Sequence, residues 1–148
     1  MRLAAPLAPQ GGPVPSATVP AMASTATGTF EISMTQGPAE MGGAVARLDF
    51  TKVWRGDLEG TGSGALLSCG DPQAGEAGYV AIEVVNGRLG DREGSFAFQQ
   101  SGRMHAGSQS LHYDVVPGSG GGALAGITGT LHLDIEDGTH RYTLSYEL

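Results

Sequence analysis

From Thr25 onward, polar and apolar residues alternate with a period of two. Thr29 to Met34 places Phe30, Ile32 and Met34 on one side. That is the pattern of a half-buried strand. Ala46 to Trp54 repeats it, with Leu48, Phe50 and Trp54 in phase and Lys52 interrupting their face. Leu58 to Cys69 reads LEGTGSGALLSC. Its Gly60, Gly62 and Gly64 suit a strand that bends sharply or is closely approached by a neighbour. Gly78 to Val85 divides into Val80, Ile82 and Val84 on one face and Tyr79, Ala81 and Glu83 on the other. Ser95–Gln100 and Ser108–Val116 are shorter strands. Thr130–Glu136 sends Leu131, Leu133 and Ile135 inward, and Arg141–Leu148 keeps Tyr142, Leu144 and Tyr146 in phase. Asn86-Gly87 and Asp137-Gly138 are hairpin signals, because these residues accept positive φ. About eight strands joined by short turns would leave two exposed edges as an open sheet. A closed antiparallel meander barrel removes them, with a sandwich as the alternative. Eight strands also enclose an interior able to hold side chains or one small ligand.

Composition supports the strands. Of 148 residues, 25 are glycine, and between Gly28 and Leu148 the longest glycine-free window is the 12 residues Ala44–Arg55. Each glycine costs a helix interior about 1 kcal/mol, so bundles and doubly wound folds are excluded. Met1–Ala23 differs: it holds five of the eight prolines and no aromatic residue. It is expected to be a disordered extension, with the single folded domain at 24–148. Prolines break the apolar run that a secretory signal needs. With 15 acidic and 8 basic residues the net charge is −7, which argues against binding nucleic acid. No apolar run is long enough to span a membrane. Cys69 alone allows no intrachain disulfide, and a reducing cytoplasm is the simplest compartment.

Chemistry-bearing motifs are sparse. His105, His112, His132 and His140 lack metal-ligand spacing, so no metal or cofactor is expected. Gly118-x-Gly120-x-x-Ala123 superficially matches a dinucleotide fingerprint. Gly126 and Gly129 leave room for only about one helical turn, so the loop is expected to be a tight crossover capped at Ala123–Ile127. Glu83 beside Tyr79 would anchor a ligand if their face lines a cavity. In that case another subunit could cover the apolar outer face, whereas a Glu83 facing solvent would need no explanation.

GTFEIS at 28–33, WRGDLEGTGSG at 54–64, YVAIEVVNGRLGDREGSFAFQ at 79–99 and VVPGSGGGALAGITG at 115–129 resemble an uncharacterised bacterial family, domain of unknown function 3224. That family in turn looks like a relative of allene oxide cyclase, an eight-stranded barrel with a central cavity. Phe30-Glu31-Ile32-Ser33, Thr51 to Leu58 and the glycine loop carry this second likeness. It implies a general acid–base role for Glu31 inside the cavity, with Ser33 and Thr51 holding a water in place of the cyclase's two asparagines. It also implies a dimer or trimer. Strand alternation alone turns Glu31 towards water instead.

Three functions follow. The leading one is a barrel holding a small, fairly apolar ligand, with Ser33, Thr51, Tyr79 and Glu83 among its contacts. The second is a cyclase or isomerase using Glu31. The third is a non-catalytic oligomeric scaffold with a filled core.

Overall fold

The computed structural model describes residues 23–148. Apart from Ala23, the extension expected over residues 1–23 lies outside them. The strands are β1 (Ser24–Gln36), β2 (Ala46–Gly56), β3 (Leu58–Asp71), β4 (Glu76–Leu89), β5 (Arg92–His105), β6 (Ser108–Val115), β7 (Gly121–Gly122), β8 (Thr128–Glu136) and β9 (Thr139–Glu147). β1 to β6 pair in sequence order, β6 meets β8, β8 meets β9, and β9 returns to β1. Every pairing is antiparallel, so the result is a closed eight-stranded barrel. The two-residue β7 is added beside β5. Among the described residues no helix is long and apolar enough to cross a membrane.

Strand alternation puts one residue of every two inside. Phe30, Trp54, Phe96, Phe98, Tyr113, Tyr142 and Leu144 form the middle of the core. Their rings touch: Trp54 lies 4.7 Å from Phe30, 5.6 Å from Phe98 and 5.0 Å from Tyr142, centroid to centroid. Such tilted and edge-on aromatic pairs add about 0.5–1.5 kcal/mol each beyond simple burial.

The barrel's two ends differ. At the end where β2 turns into β3 and β4 into β5, the segment after β6 folds inward as a plug. Leu124 and Ile127 are fully buried there. Gly60, Gly87, Gly94 and Gly122 sit side by side on β3, β4, β5 and β7. This bare row lets the plug approach the sheet: a Cβ on Gly94 would lie 3.2 Å from the Leu124 amide nitrogen. The plug contains single turns closed by Leu124 N–H to Gly121 O and Ile127 N–H to Leu124 O, without a helix. It joins the neighbouring strands β6 and β8, so it is not a crossover between distant strands, but its last turn closes at Ile127, within the expected cap at Ala123–Ile127.

Two further expectations change. Asn86-Gly87 is not a hairpin, because β4 runs straight through it to Leu89. Its residues pair on both sides, Asn86 with Thr61 and Ser95, and Gly87 with Gly60 and Gly94. Packing between two long neighbours has overridden local turn preference. Asp137-Gly138 does form the predicted turn, with φ of 50° and 77°. Ile135 has the expected parity but is exposed, because it lies at the rim of the unplugged end.

Candidate functional site

Lys52 is the one charged residue in the inward phase of β2, and Glu83 has the same position on β4. Both are buried, with side chains only 3% exposed, and their 2.8 Å ion pair spans the interior. The Lys52 ammonium also donates to the Tyr113 hydroxyl at 2.6 Å. The Trp54 indole N–H donates to the other Glu83 oxygen at 2.8 Å. The Lys52 nitrogen stands 4.4 Å from the Phe30 ring centre and 5.1–5.3 Å from those of Phe50, Trp54 and Tyr113. Aromatic faces carry negative potential, so the box favours a cation that has lost its water.

The glycine-rich strand β3 makes room for this cluster. A Cβ on Gly62 would collide with the Glu83 carboxylate and lie 3.1 Å from the Trp54 indole nitrogen. One on Gly64 would come within 2.6 Å of the Phe50 ring. The GTGSG run is therefore complementary to a glutamate and two aromatic rings supplied by other strands.

Burial pulls the Lys52 ammonium below the ordinary lysine pKa, against the opposing charge and hydrogen bond of Glu83. Burial also pushes the Tyr113 hydroxyl far up, and the neighbouring Glu83 charge adds to the effect. No buried side-chain nitrogen or oxygen among the described residues lacks a partner. Sealed and fully bonded, the cluster organises the core and presents no group to a substrate.

Access to the interior is found elsewhere. β6 and β8 share a single bridge, Asp114 opposite Thr130, reinforced by a 2.8 Å bond from the Thr130 hydroxyl to the Asp114 carboxylate. Beyond it, towards the unplugged end, the two strands pair no further. A pocket of about 660 Å³ lies at this end. It is lined by Leu111 of β6 and Leu133 and Ile135 of β8, and by Tyr79 of β4 and Gln100 of β5. Gln100 donates its amide N–H to the Tyr79 hydroxyl at 2.5 Å. The Tyr79 ring lies directly over Gly102, where any Cβ would strike it. Burial raises the Tyr79 hydroxyl's pKa, with the Gln100 bond acting the other way, so Tyr79 is neutral at ordinary pH.

The expected site residues are thus separated. Glu83 is inside the barrel, bound to Lys52 and Trp54, but does not line the pocket. Tyr79 does line it. Glu31, Ser33 and Thr51 have the opposite strand parity and are exposed on the outer surface. Glu31 has a side chain 76% exposed and lies 3.7 Å from the Arg55 guanidinium. The acid–base role implied by the cyclase resemblance is corrected accordingly: Glu31 faces away from the interior that Phe30 and Ile32 enter. Sequence reasoning missed Lys52 and Tyr113. Lys52 carried a signal, as the sole lysine and in phase with apolar neighbours. Tyr113 carried none.

The family described as "Protein of unknown function (DUF3224)" matches residues 26–146. Among solved structures, a protein of unknown function from that family in Shewanella oneidensis MR-1 is similar over 85% of this chain and 97% of its own. Its TM-score is 0.79 and its sequence identity 40%. No curated protein matches the chain.

Proposed function

The chain belongs to the DUF3224 family of proteins of unknown function, and we propose that it is a binding barrel for a small, largely apolar, uncharged molecule. The observation that carries this reading is the pocket at the unplugged end, about 660 Å³ beside a middle that is otherwise filled. That volume is within the usual range for small-molecule sites, about 300–1,000 Å³. Leu111, Leu133 and Ile135 are among its apolar walls, Tyr79 with Gln100 is its hydrogen-bonded polar pair, and Arg103 and Asp134 also line it. With the Gln100 amide N–H already given to Tyr79, the tyrosine hydroxyl is free to donate and the Gln100 carbonyl to accept. A neutral tyrosine next to a neutral amide suits a ligand with a carbonyl, hydroxyl or carboxamide at one end.

Native mass spectrometry of freshly purified protein tests for a carried-over ligand, and titration with the uncharged dye Nile red tests the pocket. Leu111→Trp fills the mouth without touching the buried cluster. It is expected to abolish dye binding and leave the unfolding midpoint near wild type. Unchanged binding in this variant, or no binding to wild type, would remove the reading.

A further inference from the structure

β6 and β8 are neighbours around the barrel, yet most of their facing backbone is unpaired. We propose that the seam between them binds an extended peptide segment of another protein as an added strand, with apolar residues turned inward and basic residues outward. This stands on the backbone edges and does not rest on the small-molecule reading of the pocket.

The phase of the neighbouring ladders fixes which groups are left over. The Val116 N–H bonds to the Ala97 carbonyl at 2.8 Å, and antiparallel partners exchange bonds at every second residue. In the β5–β6 register, Ser108, Ser110, His112 and Asp114 therefore bond to β5. The N–H and C=O groups of Gln109 and Leu111 point into the seam. On β8 the two-residue turn at Asp137-Gly138 closes on the pair Glu136 and Thr139, so the even-numbered residues bond to β9. Leu133 and Ile135 turn their backbone groups towards β6. Past the Asp114–Thr130 bridge no strand pairs with either edge. β6 and β8 also stay close over a much shorter length than β8 and β9 do. Ser110 and Asp134 have the outward parity, yet both line the pocket beside Leu111 and Leu133. The interior therefore opens sideways between the two strands.

Three observations select a peptide as the occupant. First, each edge alternates donors and acceptors, and a second backbone presents the same alternation on both of its sides, as in strand addition. Second, the edges are unprotected. Exposed edges are ordinarily blunted by lysine, proline, a bulge or an inward charge. Residues 108–113 and 131–136 contain no lysine or proline, and their inward side chains, Gln109, Leu111, Tyr113, Leu131, Leu133 and Ile135, carry no charge. Third, the outer side of the seam is acidic. The two strands carry Asp114, Asp134 and Glu136 there and no lysine or arginine. Arg103 and Arg141 stand one strand further out, on β5 and β9. Arg141 is 4.0 Å from Glu136, and His132 is 3.4 Å from Asp134. In a chain of net charge −7, an outward lysine or arginine near Asp114 and Asp134 is favoured over an acid. Six residues of each strand flank the seam, which fits a peptide of about six residues, roughly 20 Å long. Since β6 and β8 are antiparallel to each other, the peptide runs antiparallel to one and parallel to the other.

Nuclear magnetic resonance titration of the full chain tests the proposal, with a capped hexapeptide of alternating valine and lysine as the probe. It is expected to bind and to slow amide exchange at Gln109, Leu111, Leu133 and Ile135. Ser110 and His112, already bonded to β5, should not change. An analogue N-methylated at its valines keeps every side chain and charge but loses the donors of one edge. It should bind at least ~10-fold more weakly. Glutamate in place of the lysines should also weaken binding. No binding of the hexapeptide at millimolar concentration overturns the proposal, as does equal binding of either analogue or protection confined to other strands. Nile red binding alongside any of these failures would leave the small-molecule reading standing and remove this one.

Discussion

Replacing Glu83 with glutamine tests whether the sealed cluster holds the core together. The substitution keeps the side chain's size and removes its charge. In the wild type one carboxylate oxygen accepts from Lys52 at 2.8 Å and the other from Trp54 at 2.8 Å. A glutamine has one oxygen for these two donors, so its NH₂ must face one of them. Lys52, 3% exposed, is then left without a counter-charge. Breaking a buried ion pair from one side costs about 3–5 kcal/mol. Against a total stability of roughly 5–15 kcal/mol, that is a large share. Trp54 is the only tryptophan and is buried against the cluster, so its fluorescence reports urea unfolding from the right place. The expected result is a midpoint shift equivalent to about 3–5 kcal/mol. Lys52→Met should be similarly harmful alone. The double variant should cost less than the two single losses combined, by about 2 kcal/mol, because neither partner is then stranded. A Glu83→Gln loss below about 1 kcal/mol, or strict additivity, would refute the argument that charge pairing governs this core.

Other expectations follow from the same geometry. Gly62→Ala forces a Cβ into the Glu83 carboxylate and should lose about 1–3 kcal/mol in urea unfolding. At Gly78 the nearest atom to a Cβ is 3.8 Å away, so Gly78→Ala should be neutral or slightly stabilising. Glu31→Gln should change stability by less than about 0.5 kcal/mol, since a surface ion pair contributes little, and should leave dye binding intact; a lost signal there would reinstate Glu31 at the site. Burial raises the hydroxyls of Tyr113, Tyr79 and Tyr142 above the ordinary 10.0, so the unfolded chain ionises first. Their contribution is complete below that value and is lost as pH rises beyond it, at up to ~1.4 kcal/mol per unit for each tyrosine. Lys52 is lowered from 10.5, so its effect has the opposite sign: stability rises with pH between its folded value and 10.5. The three tyrosines should prevail, and a urea midpoint that does not fall between about pH 9 and about pH 11 would contradict this.

Much of the barrel was legible because period two and frequent glycine are local signals. Each strand is apparent in its own few residues, and so is the positive-φ turn at Asp137-Gly138. What was not legible depends on partners distant in sequence. The Asn86-Gly87 pair looks like a turn until Thr61 and Ser95 are known to flank it. Tyr113 looks like any strand tyrosine until Lys52, 61 residues away, is found at its hydroxyl. The pocket depends on where β6 and β8 stop pairing, which no pattern within either strand records.

β4 ties these threads together. Alternation divides β4 into Val80, Ile82 and Val84 on one face and Tyr79, Ala81 and Glu83 on the other, and the greater apolarity of the first would favour it for the core. The fold has the reverse. Three local anomalies have one cause. Lys52 interrupts the inward face of β2, Glu83 sits on the less apolar side of β4, and β3 has glycine at alternate positions between them. A buried lysine needs a buried carboxylate, and the pair needs a neighbour without side chains. Once Glu83 is drawn inside, strand parity obliges the three β-branched residues to face outward. The exposed apolar face is therefore a geometric consequence of the interior ion pair. Parity, however, requires only that these positions face out. Their being Val, Ile and Val, where threonine or lysine would serve a solvated strand, is a separate choice of side chain that the ion pair does not dictate.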